Sequence, residues 1–267
     1  GPAPAGLRFE ASSLMRAMIL AAGRGERMRP LTDQCPKPLL PAGGKPLIVW
    51  HIEALVAAGI REIVINHAWL GAQLEAAIGD GSTWGAQVQW SAEAEALETA
   101  GGIVQALPRL VYGRDPQAPF AVVNGDIWTD YDRRRLPQIA SQLEVLALDA
   151  WCILVPNPAH HREGDFLLAG DRLVPEDGHG HAQRLTFSGI GVYQPALFDG
   201  VAPGSRAPLA PRLRAAIDAN RAGGERHDGT WVDVGTPERL SELDAMLVGR
   251  YSSNPSNPYK FSEPQGA

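Results

Sequence analysis

Apolar residues along the chain come in short blocks separated by glycine, proline and polar turns. Ala17 to Ala22 is the first block, and it breaks into Gly23-Arg24-Gly25. A short apolar run ending in glycine predicts a buried strand that feeds a glycine-rich loop. From Pro46 to Gly59 the spacing changes, and Leu47, Ile48, Ile52, Leu55 and Val56 recur at helical intervals. Pro46 suits a first helical turn and Gly59 a C-terminal stop. Glu62 to Asn66 predicts a second buried strand, Leu70 to Ile78 a helix closed by Gly79, and Val88 to Ser91 a short strand. Gly101 to Leu110 predicts a third helix, and Phe120 to Val123 a buried strand that runs out into Asn124-Gly125-Asp126. Strands alternating with helices in this way predict parallel pairing through right-handed crossovers. Ligands of such sheets bind beyond the C-terminal ends of the strands, where Gly23 to Gly25 and Asn124 to Asp126 both lie.

The second half has a different pattern. Ala147 to Val155 and Thr186 to Tyr193 predict strands, whereas Pro156 to Gly180 is rich in Pro, Gly, His and Asp and predicts loop with a short apolar insertion at Phe166 to Leu168. Leu209 to Asn220 and Pro237 to Val248 predict helices, the second capped by Thr236 with Pro237 at its first position. Tyr251 to Ala267 lacks apolar periodicity and predicts a disordered tail. Residues 1–14 read as a tag or loose tail, with Met15 as the natural start. The expectation is one α/β domain over residues 15–250, with a layered α/β part to about 130 and a smaller α+β part after it.

Composition narrows the function classes. The 267 residues carry 24 Lys+Arg against 30 Asp+Glu, and this acidic balance of −6 argues against a nucleic-acid-coating role. The two cysteines, Cys35 and Cys152, form neither a disulfide framework nor a metal-binding spacing, which fits a reduced, cytoplasmic setting. No apolar run is long enough to predict a membrane span, and the start lacks the pattern of a signal peptide. Nothing in the chain sets an oligomeric state.

Chemistry first shows in the loop Leu20-Ala-Ala-Gly-Arg-Gly-Glu-Arg-Met-Arg-Pro-Leu-Thr32. Its glycines let the backbone approach a ligand closely. Arg24, Arg27 and Arg29 crowd together, and like charges this close repel unless they are solvated or face an anion. A polyphosphate site and a solvated basic turn both satisfy that condition; arginine forks match phosphate oxygens well. Two other phosphate motifs are excluded, since Met28 occupies the last position of G-x-G-x-x-G and no G-x-x-x-x-G-K-[ST] occurs. Lys37 lies between Pro36 and Pro38, which stiffen the backbone and fix its direction. Lys45-Pro46 repeats the pair, and Lys260 is the only other lysine. Asp126 and Asp233 each end an apolar run. Isolated carboxylates at strand ends suit Mg²⁺, which combines a few carboxylates with phosphate oxygens and water. Asp130 and Asp132 are nearby alternatives, and a turn or cap role is the alternative for Asp233. His160 and His161 are adjacent and lack the separated spacing of a zinc site.

The string L-A-A-G-x-G-x-R-M-x-P-L-T, followed by Pro36-Lys-Pro-Leu39 and Gly44-Lys-Pro-Leu47, resembles the sugar-1-phosphate nucleotidyltransferase family. Leu97-Glu-Thr-Ala-Gly-Gly102, Asn124-Gly-Asp126, Pro156-Asn-Pro-Ala-His-His161 and Trp231-Val-Asp-Val-Gly-Thr236 support it, and the likeness spans roughly Met15 to Arg250. The resemblance implies a Rossmann-like mixed central sheet flanked by helices, with the nucleotide on the first part and the sugar on the second. Ala22, Gly23 and Gly25 match positions whose backbone meets base and phosphates, Arg24 the arginine on the β- and γ-phosphates, and Lys37 the lysine at the α-phosphate. Glu93 and Gly101 match positions lining the base. Asp126 and Asp233 match the Mg²⁺ ligands, so that Arg24, Lys37 and Asp126 are the implied catalytic residues. Asn124, Asn157, Asp165 and Gly189 match sugar-side positions, with His160 and His161 near the sugar.

The implied substrates are UTP and a sugar 1-phosphate; a GTP- or dTTP-using hexose-1-phosphate enzyme, or a silent nucleotide-binding subunit, is the alternative. Hexose-1-phosphate members carry a Glu-Lys-Pro string whose lysine grips the sugar phosphate. That string is missing between Ala169 and Leu185, and Arg162, Arg172 and Arg184 are the candidates to replace it.

Overall fold

A computed structural model describes residues 15–177 and 181–252. The expected tail at residues 1–14 lies outside them, as does 253–267. The first strand, β1 (Arg16–Leu20), leads through the glycine loop to a two-residue hairpin, β2 (Pro41–Ala42) and β3 (Lys45–Pro46). Then follow α1 (Leu47–Ala57), β4 (Glu62–His67), α2 (Gly71–Ile78), β5 (Gln87–Ala92), α3 (Glu98–Val111) and β6 (Phe120–Asn124). Here the forecast of alternating strand and helix holds. Gly59 ends α1 with φ +82° and Gly79 ends α2 with φ +61°, where a side chain would be strained.

The remaining elements are β7 (Ile127–Thr129), α4 (Arg135–Leu146), β8 (Ala150–Val155), β9 (Phe166–Ala169), β10 (Arg172–Val174), β11 (Gln183–Tyr193), α5 (Ala210–Asp218), β12 (Ala222–Arg226), β13 (Trp231–Asp233) and α6 (Pro237–Ser252). Several depart from the sequence reading. Helix α4 was not anticipated, although Leu136, Ile139 and Leu143 are its buried stripe at helical spacing. The apolar insertion at Phe166 is the first strand of a hairpin, because Leu168 pairs with Leu173 across β9 and β10. Strand β12 begins Ala-Gly-Gly, a composition that argues against a strand. Gly223 is required there because a Cβ would lie 2.5 Å from the Trp151 ring. Thr236 caps α6 as expected, accepting the Arg239 N–H at 3.4 Å, but the helix runs to Ser252, two residues into the segment expected to be tail.

Nine strands form one mixed sheet in the order β5-β4-β1-β6-β11-β8-β12-β10-β9. β5, β4, β1 and β6 are parallel, and β11 runs antiparallel to β6 and to β8. Both faces are covered. In β1, Ala17 and Ile19 join a cluster with α1 and α4, while Met18 points to the opposite cluster beneath α3 and α5. Burial on both faces explains why these strands read as unbroken apolar runs. A third cluster of Met28, Leu40, Leu47, Trp128, Val234 and Leu243 lies under the glycine loop and carries β7, β13 and α6.

Candidate active site

The glycine loop is held by a chain of buried hydrogen bonds. Ala21 N–H donates to Asn66 Oδ1 at 2.8 Å, Asn66 Nδ2 donates to Glu93 Oε1 at 2.7 Å, and Leu97 N–H donates to Glu93 Oε2 at 2.9 Å. The ends of β1, β4 and β5 are thereby fastened to the start of α3. Gly102 makes room for the link, since a Cβ there would lie 2.7 Å from Glu93 Oε1. Farther along, Gly25 adopts φ +68° and Met28 is fully buried, so one left-handed residue and one anchor set the loop's path. Thr32 Oγ1 donates to the Gly25 carbonyl at 2.8 Å.

A cavity of about 360 Å³ opens over this loop, bounded by Ala22, Gly23, Gly25, Lys37, Thr99 and Asp126. A second, of about 410 Å³, lies beside it and is lined by His160, His161, Asp165, Gly189 and Asp233. Arg27, Asn124 and Asp126 belong to both. Lys37 is only 7% exposed, and its Nζ donates to Asp126 Oδ2 at 2.9 Å. Pairing of β7 with β13 sets Asp233 opposite Ile127, while the Val234 N–H bonds the Asp126 carbonyl at 2.9 Å. Asp126 and Asp233 thus border one cavity although 107 residues separate them. Arg239 Nη1 donates to Asp233 Oδ2 at 2.6 Å and to His160 Nε2 at 2.9 Å.

The carboxylate pair fits a hard divalent cation. Each carboxylate already faces a protein cation, and no set of three His, Cys, Asp or Glu among the described residues could hold a metal by itself. An ion there needs oxygens from bound phosphates and water to complete its shell. His51 lies buried nearby, and burial, aided by the charge of Arg133, holds it down to about 3. It is neutral packing.

The sequence profile of the nucleotidyl transferase family matches residues 16–164, more than half of the chain. This chain belongs to the nucleotidyl transferase family. The resemblance read from its motifs is thus borne out, as are the α/β fold and the assignment as an enzyme. Among relatives, the N-acetylmuramate alpha-1-phosphate uridylyltransferase of Neisseria meningitidis serogroup B is 55% identical over 235 residues, covering 87% of this chain and 98% of that one. The protein of the same name from Caulobacter vibrioides is 33% identical, covering 87% and 96%. A mannose-1-phosphate guanylyltransferase of Mycobacterium tuberculosis is 28% identical, covering 90% of this chain and 66% of its own length. In fold, a Bacillus anthracis protein described as a glucose-1-phosphate thymidylyltransferase aligns with a TM-score of 0.72 at 19% identity, covering 93% of this chain and 98% of that one. Enzymes of this family take a nucleoside triphosphate and a sugar 1-phosphate and use a divalent metal.

In this nucleotidyl transferase the forecast residues divide into two groups. Ala22, Gly23, Gly25, Lys37, Asn124 and Asp126 line the first cavity, and Asp165, Gly189 and Asp233 the second. Arg24 departs from expectation. Its guanidinium lies 4.2 Å from the Trp69 ring centroid and pairs with Glu26 at 2.8 Å, on the exposed side of the loop. Arg27, three residues on, faces both cavities with no partner among the described residues. Glu93 lines neither of these two cavities; it is buried behind the loop as the anchor of Asn66. Gly101 packs against the 205–207 loop, where a Cβ would lie 2.3 Å from the Ser205 carbonyl oxygen.

Asn157 is spent on structure. It accepts from Thr186 Oγ1 at 2.9 Å and donates to the Arg162 and Arg184 carbonyls, clipping the 157–164 loop to β11. Nor does any of the three arginines proposed for the missing lysine line either of these two cavities. Arg162 contacts the Ala159 carbonyl, Arg172 lies by Asp171, and Arg184 pairs with Glu176. Arg239 was missed, and only its place six residues after Asp233, in the first turn of α6, could have suggested it. A Cβ at Gly235 would lie 2.5 Å from Arg239 Nη2 and 3.2 Å from Arg27 Nη2, so two guanidinium groups crowd over this glycine.

Proposed function

We propose that this chain transfers a uridylyl group from UTP to N-acetylmuramic acid 1-phosphate, giving UDP-N-acetylmuramic acid and pyrophosphate, with Mg²⁺ as the metal. The observation that carries the chemistry is the wall shared by two cavities, on which Asn124, Asp126 and Arg27 meet. One cavity per substrate, with a carboxylate and a cation at the junction, is the arrangement a group transfer needs. The substrate identity rests on the 55% identical relative of matching length. The setting proposed is bacterial peptidoglycan recycling in the cytoplasm, in keeping with described residues that hold no helix long and apolar enough to cross a membrane.

In this reading residues 15–130 hold the nucleotide and 131–250 the sugar. A phosphate oxygen of the sugar 1-phosphate attacks the α-phosphorus, the bond to the bridging β-phosphate oxygen breaks, and pyrophosphate leaves. The nucleophile is anionic, so no general base is required, and catalysis reduces to positioning and charge neutralisation. Asp126 and Asp233 would hold Mg²⁺, which when bound would supply Lewis-acid charge at the reacting phosphates. The exposed backbone at Gly23 and Gly25 meets the triphosphate. Lys37, buried and fixed by its prolines, places a point charge at the α-phosphate. Arg27 takes the triphosphate role forecast for Arg24, and Arg239 is assigned to the sugar phosphate in place of the missing lysine. Asn124 and Asp165 receive sugar hydroxyls.

The test is metal-dependent pyrophosphate release measured with each nucleoside triphosphate against a panel of sugar 1-phosphates. UTP with N-acetylmuramic acid 1-phosphate is expected to give the highest kcat/KM. Turnover of mannose 1-phosphate with GTP in preference to this pair would overturn the reading.

A further inference from the structure

A third cavity, of about 500 Å³, adjoins the site and has no part in the mechanism above. It meets the sugar-side cavity at Asn124, Asp165 and Phe187. Its walls are mostly apolar, from Phe166 and Phe187 on the sheet to Leu209 and Leu213 on α5. Three charged residues line it: Glu98, Asp165 and the solvent-exposed Arg214. The two acids are engaged. Glu98 pairs with Arg206 at 3.3 Å, while the Asp165 oxygens receive the Phe187 N–H at 2.8 Å and His161 Nε2 at 2.9 Å. Arg214 makes no hydrogen bond or ion pair among the described residues. The uncompensated charge of the cavity is therefore one guanidinium, set at the edge of an apolar wall.

We infer that this cavity is a subsite for a carboxylate-bearing substituent on the sugar, with Arg214 as the group that reads the carboxylate. A short ether-linked acid has the required form, with an apolar carbon stem for the Phe166, Phe187 and Leu213 walls and an anion at its end. Arginine presents a planar fork that matches a carboxylate in two parallel hydrogen bonds. Continuity through Asn124 and Asp165 places the substituent on the same molecule whose phosphate reaches Asp126. The inference rests on the proposed function, because it explains how an acidic sugar is told from a neutral one. Arg214 is remote from the reacting phosphates, so it acts on substrate choice and not on the chemical step.

The experiment is a cycle in which the charge is removed from each side in turn. N-acetylmuramic acid 1-phosphate and its lactyl methyl ester are compared as substrates of the intact protein, Arg214→Gln and Arg214→Lys, with UTP and Mg²⁺. Wild-type protein is expected to favour the acid over the ester by about tenfold in kcat/KM, the size of one hydrogen bond to a charged group. Arg214→Gln should treat acid and ester alike, and Arg214→Lys should keep part of the preference. A wild-type preference that survives in Arg214→Gln overturns the subsite, as does a wild type with no preference. Wild-type protein that turns over neither compound instead removes the proposed function on which the subsite rests.

Discussion

In the proposed reading the nucleotide side of the site is built from backbone, and the sugar side from side chains brought in from afar. On the first side, β1, β4 and β6 are parallel neighbours whose ends fall together, and the glycine loop hangs from one of them. On the second, Asn124, Asp165, Gly189 and Asp233 come from separate segments joined by clips such as Asn157 to β11 and β13 to β7. A loop held by its own strand needs only glycines and a buried anchor. A wall gathered from four segments depends on every clip, which leaves substrate choice adjustable without disturbing the phosphate machinery.

The strongest way to break this comparison is at the residue the two sides share. Asp126→Asn should lower kcat by about 10³-fold while the melting temperature stays near that of the wild type, because a half-exposed carboxylate carries chemistry and not packing. Pyrophosphate release and thermal unfolding measured on one preparation decide this; a near-normal rate would remove Asp126 from the mechanism. Within the loop, Arg27→Ala should cost about 10²-fold in kcat/KM for the nucleotide. Arg24→Ala should cost less than about threefold, since exposed pairs such as Arg24 with Glu26 contribute little. Equal losses for the two would show that the loop rearranges on binding.

The smallest effects sharpen the contrast between anchors. Glu93→Ala leaves the buried Asn66 amide without its acceptor and should cost about 1–3 kcal/mol of stability. It should also raise KM for the nucleotide, whereas Asn157→Ala should raise KM for the sugar phosphate alone. Denaturant titrations paired with KM values for both substrates test this, and a sugar effect from Glu93→Ala would mean that the two sides are not separately built.

Legibility in the sequence followed the same division. Strand β1, its loop and Lys37 are close together in the chain, and their spacing carries their geometry. Gly102 and Glu93 form one unit, yet an acid and a glycine nine residues apart announce no partnership, and Glu93 was read as a ligand contact. Arg24 and Arg27 differ only in which side of a tight turn they face, which the left-handed Gly25 between them decides. The α+β half hid more. Helix α4 had its apolar stripe in plain view, but β12 is a strand for tertiary reasons, its glycine admitting Trp151. Arg239 could not be read as a cavity neighbour until β13 was paired with β7.

The two ion pairs at the centre, Lys37 with Asp126 and Arg239 with Asp233, bear on how the free enzyme lives among dissolved ions. In the proposed reading each carboxylate comes with an internal counter-ion, which disfavours capture of a divalent cation by the unliganded protein. Capture becomes worthwhile only when a polyphosphate brings charge of its own to trade against the lysine and arginine. A chain with a net charge of −6 can thus receive an anionic substrate together with its metal, the cation offsetting part of the phosphate charge.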